Sequence, residues 1–143
     1  MVEQVVYVSK ALPGIDASGV YDIVRVSNNR NSQFGLTGIL IHLDGYFLQV
    51  LEGDARVLRQ RFDYIRGDMR HTNVEVRRYL PQAELSFPDE WMSLRDGAAI
   101  DESIKEAFGY LPGFPVAHFD ADKLVAFAMA CYRPYRPTSP ASI

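Results

Sequence analysis

The stretch LTGILIHLDGYFLQVLEG, residues 36–53, decides the fold of this 143-residue chain. Two apolar runs flank Asp44-Gly45, a dipeptide that suits a two-residue turn because both positions tolerate positive φ. The stretch therefore predicts a β-hairpin whose second strand ends at Gly53. Within that strand Gln49 is a polar amide among large apolar residues. A buried amide without partners costs about 1–3 kcal/mol, so Gln49 needs partners, either as an ordinary satisfied core amide or as a functional group.

The segments before the hairpin predict a strand, a helix and a loop. Residues 4–9 are β-branched and aromatic, which favours a strand. Asp16 or Ser18 can cap the helix that follows. One face of that helix carries Val20, Ile23, Val24 and Ser27. Residues 28–35 are polar and rich in Asn, which indicates a loop.

The segments after the hairpin predict one helix and two strands. Asp54 can cap the helix, whose apolar stripe is formed by Val57, Leu58, Phe62 and Ile65. Residues 74–80 and 91–95 favour strands. The resulting order is β-α-β-β-α-β followed by a fifth strand. This order predicts an α+β, ferredoxin-like fold with two helices on one face of the sheet.

The C-terminal part has a different pattern. Ile104 and Phe108 are four residues apart on a short predicted helix. Asp120 can cap a further helix, whose apolar residues are Leu124, Phe127, Ala128 and Cys131. This helix either covers the free face of the sheet or pairs with another subunit. Residues 133–143 contain three prolines and no core pattern, which predicts a disordered tail.

Composition narrows the class of protein. The chain is 48% hydrophobic and 23% charged, as in ordinary globular domains. Its net charge of -3 argues against binding to a phosphate backbone. Cys131 is the single cysteine, so neither an internal disulfide nor a cysteine-rich metal site is expected. We see no signal peptide, and the longest apolar run is too short to span a bilayer. A cytoplasmic protein is expected.

Tyr7, like Gln49, is either an ordinary core residue or a functional group. It lies in the middle of the first predicted strand and shares a face with Val5 and Ser9. Most such tyrosines are core residues whose hydroxyl finds a partner. If the two strands are neighbours, the phenol and the amide meet in one hydrogen-bonded pair. Such a satisfied buried network often has a function or specifies the fold.

Four motifs in order resemble the BLUF (blue light using flavin) sensor domain over about residues 3–96. The first strand has Tyr7 in VVYVS, and Asn31 stands four residues before GLTG. Gln49 lies in GYFLQVLEG, and the second predicted helix is followed by DMRH at residues 68–71. The resemblance predicts a sensor, residues 1–97, and a helical extension, residues 98–143. It implies a photoreceptor rather than an enzyme.

The resemblance implies a flavin between the two helices, usually FAD, with FMN left open by these residues. Asn31 would hydrogen-bond the isoalloxazine ring, and Ile23 and Ile65 would sandwich it. The ribityl and phosphate end would be lined by Asp68, Arg70 and His71. For His71 the alternative is a solvated residue at a helix end.

The resemblance also implies a mechanism. After excitation of the flavin, Tyr7 would give up an electron and a proton through Gln49. Recombination would leave the Gln49 amide rotated or tautomerised, with rearranged hydrogen bonds to the flavin. An amide can do this because it carries both a donor and an acceptor.

The sequence departs from the family at the fifth strand. The family pattern is Trp-x-Met, whereas this chain has FPDEWMSL, so Met92 matches the methionine and Trp91 is one residue out of step. Adjacent strand residues face opposite sides. We expect Met92 to face the flavin, and Trp91 to be either part of the switch or a surface or interface anchor. Output would go to a partner protein or to a change in the chain's own assembly.

Two rival functions share the predicted element order. One is an acylphosphatase-like hydrolase using Arg30 and Asn31, but the chain has no zinc-protease, serine-hydrolase or phosphate-loop motif. The other is an RNA-recognition module. The chain has an aromatic strand for this role but lacks the basic residues of the RNA-binding pattern.

Overall fold

The structure is a computed structural model, and eight stretches of the chain are described. They are residues 2–12, 33–43, 45–67, 71–85, 93–96, 100, 102–110 and 119–132. The strands are β1 Val2–Ala11, β2 Thr37–Leu43, β3 Tyr46–Asp54, β4 His71–Gln82 and β5 Ser93–Asp96. The helices are α1 Ala55–Arg66, α2 Glu102–Ala107 and α3 Ala121–Tyr132. The helix predicted after Asp16 or Ser18, and the tail predicted at 133–143, lie outside these stretches.

The strands form one mixed sheet in the order β4-β1-β3-β2-β5. The first four strands pair antiparallel, and β5 pairs parallel with β2. The predicted hairpin is confirmed, because Leu43 pairs with Tyr46 and Gly45 has a φ of 81°. β1 and β4 extend further at both ends than the sequence predicts, and the predicted fifth strand is present in its described part, Ser93–Asp96. The ferredoxin-like α+β class is correct.

The two faces of the sheet are covered by different helices. Alternation places odd-numbered residues of β1 against α1, in a cluster with Tyr7, Phe47, Leu58 and Phe62. The even-numbered residues Val6 and Val8 lie on the other face. There they join a cluster with Phe119 and with four fully buried residues of α3, Leu124, Phe127, Ala128 and Cys131.

The position of α3 decides between the two alternatives for the C-terminal helix. Each large side chain that it buries contributes about 1.5–3 kcal/mol relative to exposure. Ile104 and Phe108, in and after α2, pack against the same cluster, and the Phe108 and Phe127 rings lie 5.4 Å apart. The C-terminal helices therefore cover the second face of their own sheet.

Of the predicted helix caps, the two that lie in the described stretches are present. The Asp54 carboxylate accepts hydrogen bonds from the backbone N–H groups of Arg56 and Val57, at 3.2 and 3.3 Å. The Asp120 carboxylate accepts from the Lys123 N–H at 2.8 Å. Each cap satisfies N–H groups that have no partner within the helix.

The edge strand β4 is irregular on both sides of Tyr7. Val6 pairs with Arg78 but Tyr7 pairs with Val76, so Arg77 is an extra residue on β4. A second shift lies between Val8 and Lys10. Bulges of this kind bend a strand and change the direction of nearby side chains.

Candidate functional site

Tyr7 and Gln49 stand opposite each other on β1 and β3. Each side chain is 3% exposed. The Tyr7 hydroxyl donates a hydrogen bond to Gln49 Oε1. The predicted phenol–amide pair is therefore confirmed, and it brings together residues 42 positions apart in the chain.

The pair lies on the face of the sheet that α1 covers. Gln49 shares this face with Phe47 and Leu51, whereas Leu48 and Val50 belong to the cluster under α3. The Tyr7 ring lies 5.6 Å from the ring of Phe62 on α1. Apolar walls exclude water, and hydrogen bonds inside them are electrostatically stronger than in solvent.

His71 is the first residue of β4 and is held at both ring nitrogens. Nε2 lies 2.8 Å from the Ile65 carbonyl oxygen, and Nδ1 lies 2.7 Å from Ser9 Oγ. A carbonyl can only accept, so Nε2 carries a proton, and in the neutral ring Nδ1 accepts from the Ser9 hydroxyl. His71 is partly buried. Both ring nitrogens of His71 thus contact protein groups.

The histidine belongs to the same cluster as the phenol–amide pair. Its ring centroid is 6.0 Å from that of Tyr7 and 6.4 Å from that of Phe47, both in edge-on geometry. Ser9 was missed as a site residue. Ser9 is two residues after Tyr7 on β1, and residues i and i+2 of a strand share a face. This spacing was the signal that could have identified it.

A second tyrosine, Tyr79 of β4, packs against the same apolar cluster under α1. The Tyr79 ring lies 6.0 Å from Phe62. Burial raises the pKa of Tyr79 above its usual value, against an opposing effect of the nearby Arg59 guanidinium. The neighbouring carboxylates of Glu3 and Asp63 raise it further. This phenol is therefore held in its neutral form.

Four of the predicted site residues are described. Tyr7 and Gln49 form the pair, His71 lies beside it, and Ile65 is half-buried against the same apolar cluster. The remaining predicted site residues lie outside the described stretches: Ile23, Asn31, Asp68, Arg70, Trp91 and Met92.

Residues 2–93 match the family model described as BLUF, sensors of blue-light using FAD. This match covers more than half of the chain. The chain belongs to the BLUF family. BLUF domains are blue-light sensors that bind flavin, so the rival hydrolase and RNA-binding interpretations lose their basis.

Three known proteins illustrate the similarity. The chain is 35% identical over 85 residues to photoactivated adenylate cyclase subunit beta of Euglena gracilis, covering 59% of this chain and 10% of that one. The ground state of BlsA superposes with a TM-score of 0.77 at 25% identity, covering 89% of this chain and 85% of BlsA. Klebsiella pneumoniae BlrP1 with FMN and cyclic diGMP gives a TM-score of 0.70 at 26% identity, covering 90% and 34%. The chain spans about a tenth of the length of the curated relatives.

The described residues suit a flavin. The Gln49 side-chain oxygen accepts a hydrogen bond from the Tyr7 hydroxyl, and the nitrogen of the same amide carries N–H donors. Such donors are what the carbonyl and nitrogen acceptors of a flavin ring require. The surrounding side chains are aromatic or aliphatic, as expected of pockets for flat ring systems. Among the helices of the described stretches, none is long and apolar enough to cross a membrane.

Proposed function

We propose that this chain is a blue-light photoreceptor in which Tyr7 and Gln49 form the switch beside a non-covalently bound flavin. The observation that supports this proposal is the buried hydrogen bond from the Tyr7 hydroxyl to Gln49 Oε1. Burying two polar groups at one point of an apolar face costs free energy, and core packing alone does not require polar groups there.

The flavin would be held on the α1 side of the sheet. Ile65 supplies an apolar contact from α1, and Ile23 would supply one from the opposite side. Asn31 would bind the ring. Asp68, Arg70 and His71 would line the ribityl and phosphate end, and the bond between His71 and the Ile65 carbonyl supports that role by keeping the imidazole next to α1.

FAD is the proposed cofactor because the family is described by it. FMN is the alternative, and the BlrP1 structure is one that contains FMN. The residues that would contact a dinucleotide lie outside the described stretches, so the choice depends on the family and not on geometry.

A bound flavin would supply the absorption of blue light and, once excited, a site that accepts an electron. Tyr7 is suited to supply that electron because its hydroxyl proton has an acceptor in place, Gln49 Oε1. A phenol that loses an electron becomes strongly acidic, so its proton passes along the existing hydrogen bond. Return of the electron and proton regenerates Tyr7, and leaves the Gln49 amide rotated or tautomerised. The step makes no product, and its result is a changed hydrogen-bond pattern.

Met92 is proposed to face the flavin and to respond to the changed amide. Trp91 is proposed either as a second part of this response or as an interface anchor. Support comes from the register of β2, where Leu40 pairs with Leu94 of β5 on one side and with Gln49 of β3 on the other. One strand, β2, thus separates β5 from the strand of Gln49.

The output is proposed to be an interaction with a partner protein or a change in the chain's own assembly. We propose residues 1–97 as the sensor and residues 98–143 as a helical extension without a catalytic role. The relatives support a link to effectors, because the Euglena protein is named as a subunit of an adenylate cyclase.

The test is an absorption spectrum of the purified protein in darkness and after blue light. We expect a flavin spectrum that shifts slightly to the red on illumination and recovers in darkness. Flavin that is bound but shows no shift would contradict the switch. A protein that stays colourless after incubation with FAD would contradict the photoreceptor.

A further inference from the structure

Two neighbouring arginines of β4 both contact the beginning of α3. The Arg77 guanidinium donates to the backbone carbonyl of Phe119. The Arg78 guanidinium pairs with the Asp122 carboxylate at 2.5 Å. We call these two residues, with their partners, the arginine clamp.

The clamp depends on the bulge beside Tyr7. Adjacent residues of a regular strand point to opposite faces, so a regular β4 would direct only one of the two arginines to α3. The extra residue, Arg77, lies between the pairs Val6–Arg78 and Tyr7–Val76. The bulge thus lets both side chains reach the same helix, and it begins at the strand position that pairs with Tyr7.

The clamp is also connected to β3 through buried polar groups. Arg78 donates to Gln4 Oε1 at 3.4 Å, and Gln4 Nε2 donates to Glu52 Oε2 at 2.9 Å. Glu52 is fully buried, accepts also from Gln82, and lies three residues after Gln49. A continuous chain of hydrogen bonds therefore links the strands of Tyr7 and Gln49 to the beginning of α3.

We propose that the arginine clamp transmits the state of the Tyr7–Gln49 pair to α3, releasing its first turn when the pair is switched. This inference rests on the proposed photoreceptor function. A shift of the Tyr7–Val76 pair changes the bulge, one of the two points at which the ladder of β4 with β1 is interrupted. Because Arg77 and Arg78 lie at the bulge, their guanidinium groups then move relative to Phe119 and Asp122.

The contacts of the first turn of α3 are weaker than those of the rest of the helix, which suits a switch limited to that turn. The Asp122 side chain is 90% exposed, and ion pairs between exposed groups are weak and easily exchanged for water. Leu124 and Phe127, by contrast, are fully buried. Light should therefore loosen the beginning of α3 and leave the remainder of the helix packed on the sheet.

The test is backbone hydrogen exchange of the flavin-bound full chain in darkness and under blue light. The reporters are the N–H groups of Lys123 and Leu124, which bond to Asp120 at 2.8 and 2.9 Å. We expect light to accelerate their exchange by about fivefold, the lower end of ordinary allosteric coupling. The absorption shift is recorded on the same samples.

Two clamp variants and one control decide the assignment. Asp122→Asn and Arg78→Gln should keep the red shift. In both variants the N–H groups of Lys123 and Leu124 should exchange in darkness as fast as they do in the illuminated wild type, and light should accelerate their exchange no further. Glu102→Gln is the matched control, because it removes a first-turn carboxylate of α2 that pairs with Lys105 at 3.3 Å. It should keep the wild-type response.

The outcomes separate the two proposals. A red shift without faster exchange at Lys123 and Leu124 would overturn the clamp and leave the photoreceptor intact. So would clamp variants that exchange faster but keep the wild-type ratio of lit to dark rates, since this is the signature of a merely destabilised helix. A wild-type protein with no red shift would contradict the photoreceptor, and the role of the clamp with it.

Discussion

Tyr7 and Gln49 are direct partners across the antiparallel β1–β3 pairing, and the Tyr7 hydroxyl donates to the Gln49 side-chain oxygen. The register of the two central strands therefore creates the pair. A slip by one residue would turn every side chain of one strand to the other face and separate the phenol from the amide. The same register that fills the core thus positions the proposed switch.

Gln49→Leu should keep the flavin and abolish the light-induced red shift. Leucine is similar in size to glutamine but has neither the oxygen that accepts from Tyr7 nor the N–H donors that a switching amide needs. The measurement is a pair of absorption spectra, in darkness and after blue light. Gln4→Leu is the control, because Gln4 is equally buried but belongs to the polar chain on the α3 side. A normal shift in Gln49→Leu would contradict the mechanism.

Tyr7→Phe should lose the red shift while retaining the fold. The ring still packs against Phe62, but the hydroxyl that donates to Gln49 is absent. Loss of one such hydrogen bond lowers the free energy of unfolding by about 1 kcal/mol. Denaturation in urea measures this loss, and flavin absorption measures the response. Tyr79→Phe removes a hydroxyl from the same face and should keep the shift, so a loss in both variants would argue against a special role for Tyr7.

Much of the fold was predictable because local patterns have local causes. Asp44-Gly45 between two apolar runs predicted the hairpin, and carboxylates at positions 54 and 120 predicted two helix starts that the structure confirms. The Tyr7–Gln49 pair required one further step, the assumption that the first strand lies beside the third. Ferredoxin-like order places these strands together, so that assumption was correct.

Other features depend on packing between distant segments and leave no local pattern. The apolar stripe of α3 predicts that Leu124 and Phe127 are buried, but not that they are buried against the sheet of the same chain. Nothing in VEVRRYL indicates that Arg77 is an extra residue, since a bulge is a property of two paired strands. The bonds of His71 to Ser9 and Ile65 likewise arise from tertiary contact.

Tyr79 should make the protein less stable at alkaline pH. Its pKa in the folded state is raised, chiefly by burial, while in the unfolded chain it lies at about 10. Stability is therefore unaffected below pH of about 10 and falls as pH rises toward the folded-state pKa, because the unfolded chain loses the proton first. Tyr79→Phe should reduce this alkaline loss. The measurement is the free energy of unfolding between neutral and alkaline pH.

The control for this pH dependence is Tyr64→Phe, which removes the phenol of a residue of α1 that is 61% exposed. It should leave the alkaline loss of stability close to that of the wild type. An identical pH dependence for wild type and Tyr79→Phe would show that burial of Tyr79 has no influence on the folding equilibrium.

Gly38→Ala should strongly destabilise the fold, for a steric reason that can be isolated. Gly38 pairs with Leu51 inside the hairpin, and a Cβ there would lie 2.0 Å from the Val50 carbonyl oxygen. Because the obstacle is backbone, no side chain can rotate away, and β2 and β3 must separate. The cost should be about 3 kcal/mol or more, at or above the upper end of the range for overpacked core sites.

Gly45→Ala is the matched comparison. Gly45 has a φ of 81°, but a Cβ at this position meets nothing within 4 Å. Alanine there should cost only the conformational strain of a positive φ, about 1–2 kcal/mol. Thermal or urea unfolding of both variants measures the difference. Equal losses would mean that conformational strain explains both glycines, whereas a much larger loss for Gly38→Ala would show that the close approach of β2 and β3 excludes any side chain at this position.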